Sequence, residues 1–217
     1  MQKLLLTLST AAALTLSTLA FADGGNVHRI NGSIRVEAGQ SAGNLHAVNG
    51  SVQVGADARV TAASTVNGDI DLGAHASAES IKTVNGALEL DEGARVAKNA
   101  QSVNGSIKLA KGADIAGSAT NVNGRIALTS AHVGGGIQTV AGDIDVGADS
   151  HVEGGLLVDE PRGHSNDTHV PRIVIGPRAV VDGTLEFRRE VELFVSRSAK
   201  VGTIKGATAK MFDGERP

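Results

Sequence analysis

The chain has no cysteine, no tryptophan and no tyrosine, and only four phenylalanines among 217 residues. Each absence removes a class of function. Without cysteine there is no disulfide framework, no thiolate-held zinc or iron–sulfur centre, no c-type haem attachment and no thiol nucleophile. With so few rings there is no stacking platform for single-stranded nucleic acid. Lys and Arg number 20 against 23 Asp and Glu, a formal charge of −3, so a basic footprint for nucleic acid is missing too. Proline occurs only at 161, 171, 177 and 217. What is present is 28 glycines and 41% hydrophobic residues, so a core must be assembled from Val, Ile, Leu and Ala.

Residues 1–22 read as a cleaved export signal. Lys3 is the positive start, Leu4 to Leu19 is uncharged and apolar with scattered Ser and Thr, and Ala20-Phe21-Ala22 fits the small-x-small cleavage pattern before Asp23. A periplasmic, secreted or cell-surface location follows, with no membrane-spanning segment after cleavage.

The dipeptide Asn-Gly recurs at Asn31, Asn49, Asn67, Asn85, Asn104 and Asn123, and Ala141-Gly142 continues the series, at spacings of 18 or 19. Inside each unit aliphatic residues return every six positions, as in Val54, Val60, Val66, Leu72, Ala78 and Val84. A helix would place them three and four apart. Three short strands per 18-residue coil fit instead, and coils of this kind stack at about 4.8 Å. The expected fold is therefore all-β: a single-stranded, three-faced β-solenoid of about nine coils over 23–158 and beyond. Its spacing leaves the hand open.

Aligned by coil, the residues form columns. Ile30, Val48, Val66, Val84, Val103, Val122 and Val140 precede the Asn, and Ile34, Val52, Ile70, Leu88, Ile107, Ile126 and Ile144 follow it. Both columns are expected to line one inner face. Val36, Val54, Leu72, Leu90, Leu109, Leu128 and Val146 line a second, with Ala58, Ala76, Ala94 and Ala113 beside them. Ala42, Val60, Ala78, Val96, Ile115, Gly134 and Val152 line a third, with one-residue bulges after Val96 and after Ile115. Asn-Gly suits a corner at positive φ, and stacked Asn side chains pair their amides from coil to coil. Residues Asn31 to Asn123 of that column are thus expected to form a structural ladder. The lack of proline from 27 to 158 agrees, since an interior coil uses its N–H groups on both neighbours.

After Val158 the rhythm stops in a polar stretch, 159–172, which reads as a loop. It returns at Ile175, Val181, Phe187 and Leu193. Residues 173–206 are expected to be final coils closed by a cap containing Phe187, Phe194 and Phe212, and 207–217 a charged tail.

Gly-Asp-Ile at 68–70 and 142–144, and Ser150-His151-Val152-Glu153-Gly154-Gly155, resemble bactofilins. That resemblance implies a right-handed, three-faced β-helix that forms polymers. The repeated Val-Asn-Gly coil behind an export signal is also similar to exported bacterial adhesin-like β-helical domains. The hexad looks like the left-handed β-helix of hexapeptide acyltransferases as well, which implies the opposite hand and, as an alternative function, an acyltransferase or metal-dependent hydratase; of the two hands the right-handed form is favoured.

Ligand-type residues cluster in the sequence only in the loop, where His164, Asp167 and His169 are the candidate site. His28 and His46 lie one coil apart and could stack, while His75, His132 and His151 read as solvent-facing residues of the wall. Asp69, Asp71, Asp143 and Asp145 read as a mixed-charge face that discourages sheet aggregation. No nucleophile elbow, paired-His helix or phosphate-cradling loop occurs, and no cofactor is implied. The expected function is non-enzymatic: an exported structural or interaction protein of the cell envelope that associates with itself or with an envelope component. A binding module acting through 159–172 is the alternative.

Overall fold

The computed structural model describes residues 24–161 and 169–217; the export segment 1–22 and the loop residues His164 and Asp167 lie outside the described residues. The described chain is a parallel β-solenoid without a helix. One face is a ladder of ten strands, from Ile34–Val36 to Ala209–Phe212, each bonded to its counterpart in the next coil. Nine steps of about 4.8 Å make a rod about 43 Å long.

The other two faces begin as one. Ser41–Asn49, Arg59–Asn67 and Ser77–Asn85 are nine-residue strands that wrap two sides without a break. Ser77–Asn85 then pairs with two separate strands, Arg95–Val96 and Ala100–Asn104. From there the second and third faces run as distinct ladders to Lys200–Val201 and Ile204–Lys205. The cause is a single residue. Val60 and Ala63, like Ala78 and Ile81, are buried three positions apart, so one bent strand serves both faces. Val96 and Ala100 are four apart, as are Ile115 and Ala119, and the additional residue opens a corner. It is not a bulge confined to two coils: Val133 and Ile137, Val152 and Leu156, and Val181 and Leu185 keep the wider spacing. A shortened corner between Leu128 and Ala131 offsets it once. Val133 rather than Gly134 therefore enters the inner column, in register with Ile115 and Val152.

The core follows the aliphatic columns on the first face. One strand per coil carries both the Ile34-to-Ile144 and the Val36-to-Val146 columns, so they line a single face rather than the two expected, because side chains two residues apart on a strand point the same way. Ile34, Val52, Ile70, Leu88, Ile107, Ile126 and Ile144 are all exposed by 1% or less, and the Val36-to-Val146 and Ala58-to-Ala113 columns are buried too. The column preceding each Asn behaves oppositely. Ile30 is 62% exposed, Val103 and Val122 over a third, and the others half-buried. Parity along the strand does not survive the Asn-Gly corner, so residues four apart across it need not share a side. The column Ala42, Val60, Ala78, Val96 and Ile115 is buried as expected but lines the second face. The third is lined by Leu45, Ala63, Ile81, Ala100, Ala119 and Ile137, followed by Ala47, Thr65, Thr83, Ser102, Asn121 and Thr139. Their hydroxyls and amide turn to the corner: Thr65 and Thr83 Oγ1 donate to the Gly50 and Gly68 carbonyls at 2.8 and 3.0 Å, and Ser102 Oγ to that of Gly86 at 3.1 Å.

Positive φ occurs at Asn-Gly in Gly32, Gly50, Gly68 and Gly124, but it is more regular elsewhere. It forms a column at the corner between the first and second faces, through Gly39, Asp57, His75, Gly93, Gly112, Ser130, Asp149 and Arg178. At Asn-Gly, from the second coil onward, close stacking also demands glycine. A Cβ on Gly86 or Gly105 would overlap the carbonyl oxygen of Gly68 or Gly86 in the coil before, and neither has positive φ.

The C-terminal end also departs from expectation. Phe187 is buried in the lumen column with Val158, and Phe194 faces outward beneath the Arg172 guanidinium (4.9 Å) and the Lys210 ammonium (5.2 Å). Neither covers the end. Residues 209–212, within the expected tail, form a further strand paired with Glu192–Ser196.

Candidate functional site

Two arrangements on the rod bring functional groups together. The first is the Asn-Gly corner. Each Asn Nδ2 donates to the Asn Oδ1 of the coil before: Asn49 to Asn31 at 3.2 Å, Asn67 to Asn49 and Asn85 to Asn67 at 2.9 Å, Asn104 to Asn85 at 3.0 Å and Asn123 to Asn104 at 2.8 Å. Backbone bonds reinforce the line, as from Gly50 N–H to Asn67 O at 2.9 Å. The exposed Ile30 and Val column runs beside it. The corner thus presents an amide rail and an aliphatic rail side by side over six coils.

The loop leaves the rod at this same corner, one coil after the position where Ala141 replaces Asn. Its stem is fixed from both sides. Asp143 Oδ1 accepts the Arg172 backbone N–H at 2.9 Å and lies 3.2 Å from His169 Nε2. Arg189 donates to the carbonyls of Val140 (3.0 Å) and His169 (2.8 Å). Of the three candidate loop residues, the described one, His169, is therefore part of the stem.

The second arrangement lies on the second face. His132 and His151 are paired in register in adjacent coils, with ring centroids 5.5 Å apart. Two residues beyond His151, Glu153 leans back, its Oε1 3.3 Å from His132 Nε2. Asp114, one coil earlier, meets His132 Nδ1 at 2.5 Å, and Asp182, one coil later, meets His151 Nε2 at 2.5 Å. The Asp114 hydrogen bond raises the His132 pKa; partial burial opposes this, and the Asp114 and Glu153 charges add to the rise. One ligand-type atom from each of His132, His151 and Glu153 lies within 4.8 Å of the others. In the sequence these histidines look scattered. The signal that joins them is their separation of 19, which equals the local coil period. His28 and His46 do stack, at 5.0 Å and 9°, and His46 Nδ1 is 2.8 Å from Ser64 Oγ.

The mixed-charge face is cross-linked by Glu89 with Lys108 (2.5 Å) and Asp145 with Arg125 (2.8 Å). Asp71 lies next to Glu89 in the coil before it. Burial raises its pKa, and the charges of Glu89, Asp69 and Asp91 raise it further. Among the described residues, no helix is long and apolar enough to cross a membrane.

The chain matches no family model, no curated protein and no solved structure.

Proposed function

We propose that this is an exported, non-enzymatic rod of the bacterial cell envelope that works by associating with further copies of itself through its ends. The export signal at 1–22 and the likeness of the coils to bactofilins and adhesin-like domains support the setting. The observation that carries the reading is the C-terminal end. Among the described residues, Lys200–Val201, Ile204–Lys205 and Ala209–Phe212 each pair on one side only. Their lumen residues Val201, Ile204 and Ala209 are half-exposed, whereas Val181, Leu185 and Leu193 one coil earlier are buried. Glu215 to Pro217 lie along the first face beside Arg125, Asp145 and Arg178 rather than over these strands. An uncapped solenoid end offers unpaired N–H and C=O groups and apolar surface to another strand. Among the described residues, Val27–Asn31 and Ile34–Val36 of the first coil likewise pair on one side only and offer the matching edge. Joining unlike ends is a heterologous contact, and it builds filaments rather than closed rings.

Charge opposes this contact at low ionic strength. Lys200, Lys205 and Lys210 put one cation on each face of the last coil, and Arg29 and Arg35 lie on the first. Screening should therefore promote assembly. Sedimentation velocity of the mature chain, Asp23–Pro217, over a concentration series tests the reading. Mass should grow with concentration, and more so at high than at low salt. A strictly monomeric particle under all these conditions would overturn self-assembly.

The firmly held loop stem favours a second reading, in which 159–172 presents a binding segment on a rigid support. Deleting 162–168 should then leave the fold intact and abolish attachment to envelope preparations. Unchanged attachment would remove this role.

A further inference from the structure

We propose that His132, His151 and Glu153 form a binding site for one divalent transition-metal ion of the zinc type, bridging two adjacent coils. The ligand set is two imidazoles and a carboxylate, a composition that suits zinc and its first-row neighbours rather than calcium or magnesium. Ligands about 2.1 Å from a tetrahedral ion stand about 3.4 Å from each other. The three ligand atoms already lie within 4.8 Å of one another, close to that spacing.

The surroundings of each imidazole are those of a metal ligand. A metal-bound histidine characteristically donates its other ring N–H to a carboxylate, which fixes the tautomer and strengthens the ligand. Both histidines have such a partner: Asp114 on Nδ1 of His132 and Asp182 on Nε2 of His151, each at 2.5 Å. These contacts leave Nε2 of His132 and Nδ1 of His151 as the coordinating atoms. Glu153 is already drawn to the first of them. Two carboxylate–histidine pairs facing one carboxylate come from four successive coils, so the site exists only when the coils are stacked in register.

Rigidity favours it as well. His132 and His151 stand on short paired strands whose backbones are fixed by His132 N–H to Ala113 O at 3.0 Å and His151 N–H to Ala131 O at 2.9 Å. The side chains remain partly open to solvent, at 35%, 42% and 57% for His132, His151 and Glu153, so a fourth position is free for water. The site is far from a closed pocket, and its role is that of a staple between coils.

The test is a calorimetric titration of the EDTA-stripped mature chain with zinc chloride at a pH where free imidazole is neutral, with no affinity tag present. We expect saturation at one ion per chain. His132→Ala and His151→Ala should each weaken binding about 100-fold, and Asp114→Asn about 10-fold, as for an outer-shell partner. Circular dichroism should show that all three variants keep the wild-type β spectrum. His46→Ala, and the loop double variant His164→Ala with His169→Ala, should bind as wild type. The proposal is overturned if the wild type shows no saturable binding, if His151→Ala binds unchanged, or if binding is lost only in the loop variant.

Discussion

Ile107 and Val103 lie four residues apart on opposite sides of the Asn104-Gly105 corner, and they provide a sharp test of which side of the wall each column occupies. Ile107 is fully buried, with Leu88 and Ile126 as its register partners above and below. Truncation to Ala removes three carbon groups, about 2.4 kcal/mol of transfer free energy at about 0.8 kcal/mol each. The remaining term is the cavity. Collapse is resisted because the neighbouring backbones are tied by Leu88 N–H to Ser106 O and Ile107 N–H to Arg125 O, both 2.8 Å. A cavity of about 80 Å³ at about 24 cal/mol per Å³ adds about 2 kcal/mol. Ile107→Ala should therefore cost about 4 kcal/mol. Val103, 36% exposed, loses two carbon groups from a surface open to water, so Val103→Ala should cost about 1 kcal/mol or less. Lacking Trp and Tyr, the chain is best followed in urea by far-ultraviolet circular dichroism. Because coils of a solenoid unfold as nearest-neighbour units, amide exchange across 88–126 should show the same ordering locally. Losses within about 1 kcal/mol of each other would refute the assignment of these columns to opposite sides.

Gly105→Ala should cost about 2–3 kcal/mol, read from a urea transition, since the new methyl must displace the Gly86 carbonyl in a tightly packed stack; a change below about 0.5 kcal/mol would show that the corner relaxes. Asp71→Asn should stabilise the rod at neutral pH. The folded carboxyl holds its proton to a higher pH than the unfolded one, so the stability tied to the protonated form is complete below the unfolded value and declines as pH rises through the folded value. The gain from Asn should accordingly appear above about pH 4 and vanish in stronger acid; melting curves showing a pH-independent difference would contradict the shift.

Much of this architecture is readable in the linear chain because a coil imposes its period on every residue type it contains. The six-residue rhythm, the Asn-Gly recurrence and the proline-free run all follow from stacking one backbone on another, and they yield the coil and the buried Ile column directly, though not which columns share a face. What misleads is a residue's hydrophobicity where geometry has reversed its direction. The Val column before each Asn is the more apolar of two alternatives, yet the inward positions belong to Ala, Thr and Ser, which are small enough to leave room beneath the corner and polar enough to bond the glycine carbonyls. The last strand was hidden because Lys205, Lys210 and the charged residues after Phe212 resemble a tail in composition. The His132–His151–Glu153 group was hidden for a different reason: its members meet along the stacking axis, across a whole turn of chain, and only the local coil length of 19 relates them. His164 and Asp167, conversely, are close in sequence, but of that loop cluster only His169 has a described position.

Ser77–Asn85 alone is a continuous strand on one side and bonds to a divided pair on the other. The rod consequently consists of two segments with different outlines, one rounded where its faces merge and one properly three-cornered, spliced at this single strand. Within either segment the regular coils repeat one outline like washers on a shaft, each adding one spacing. This strand is where the two gauges meet: it keeps the outline of the coils before it and bonds directly to the divided pair after it.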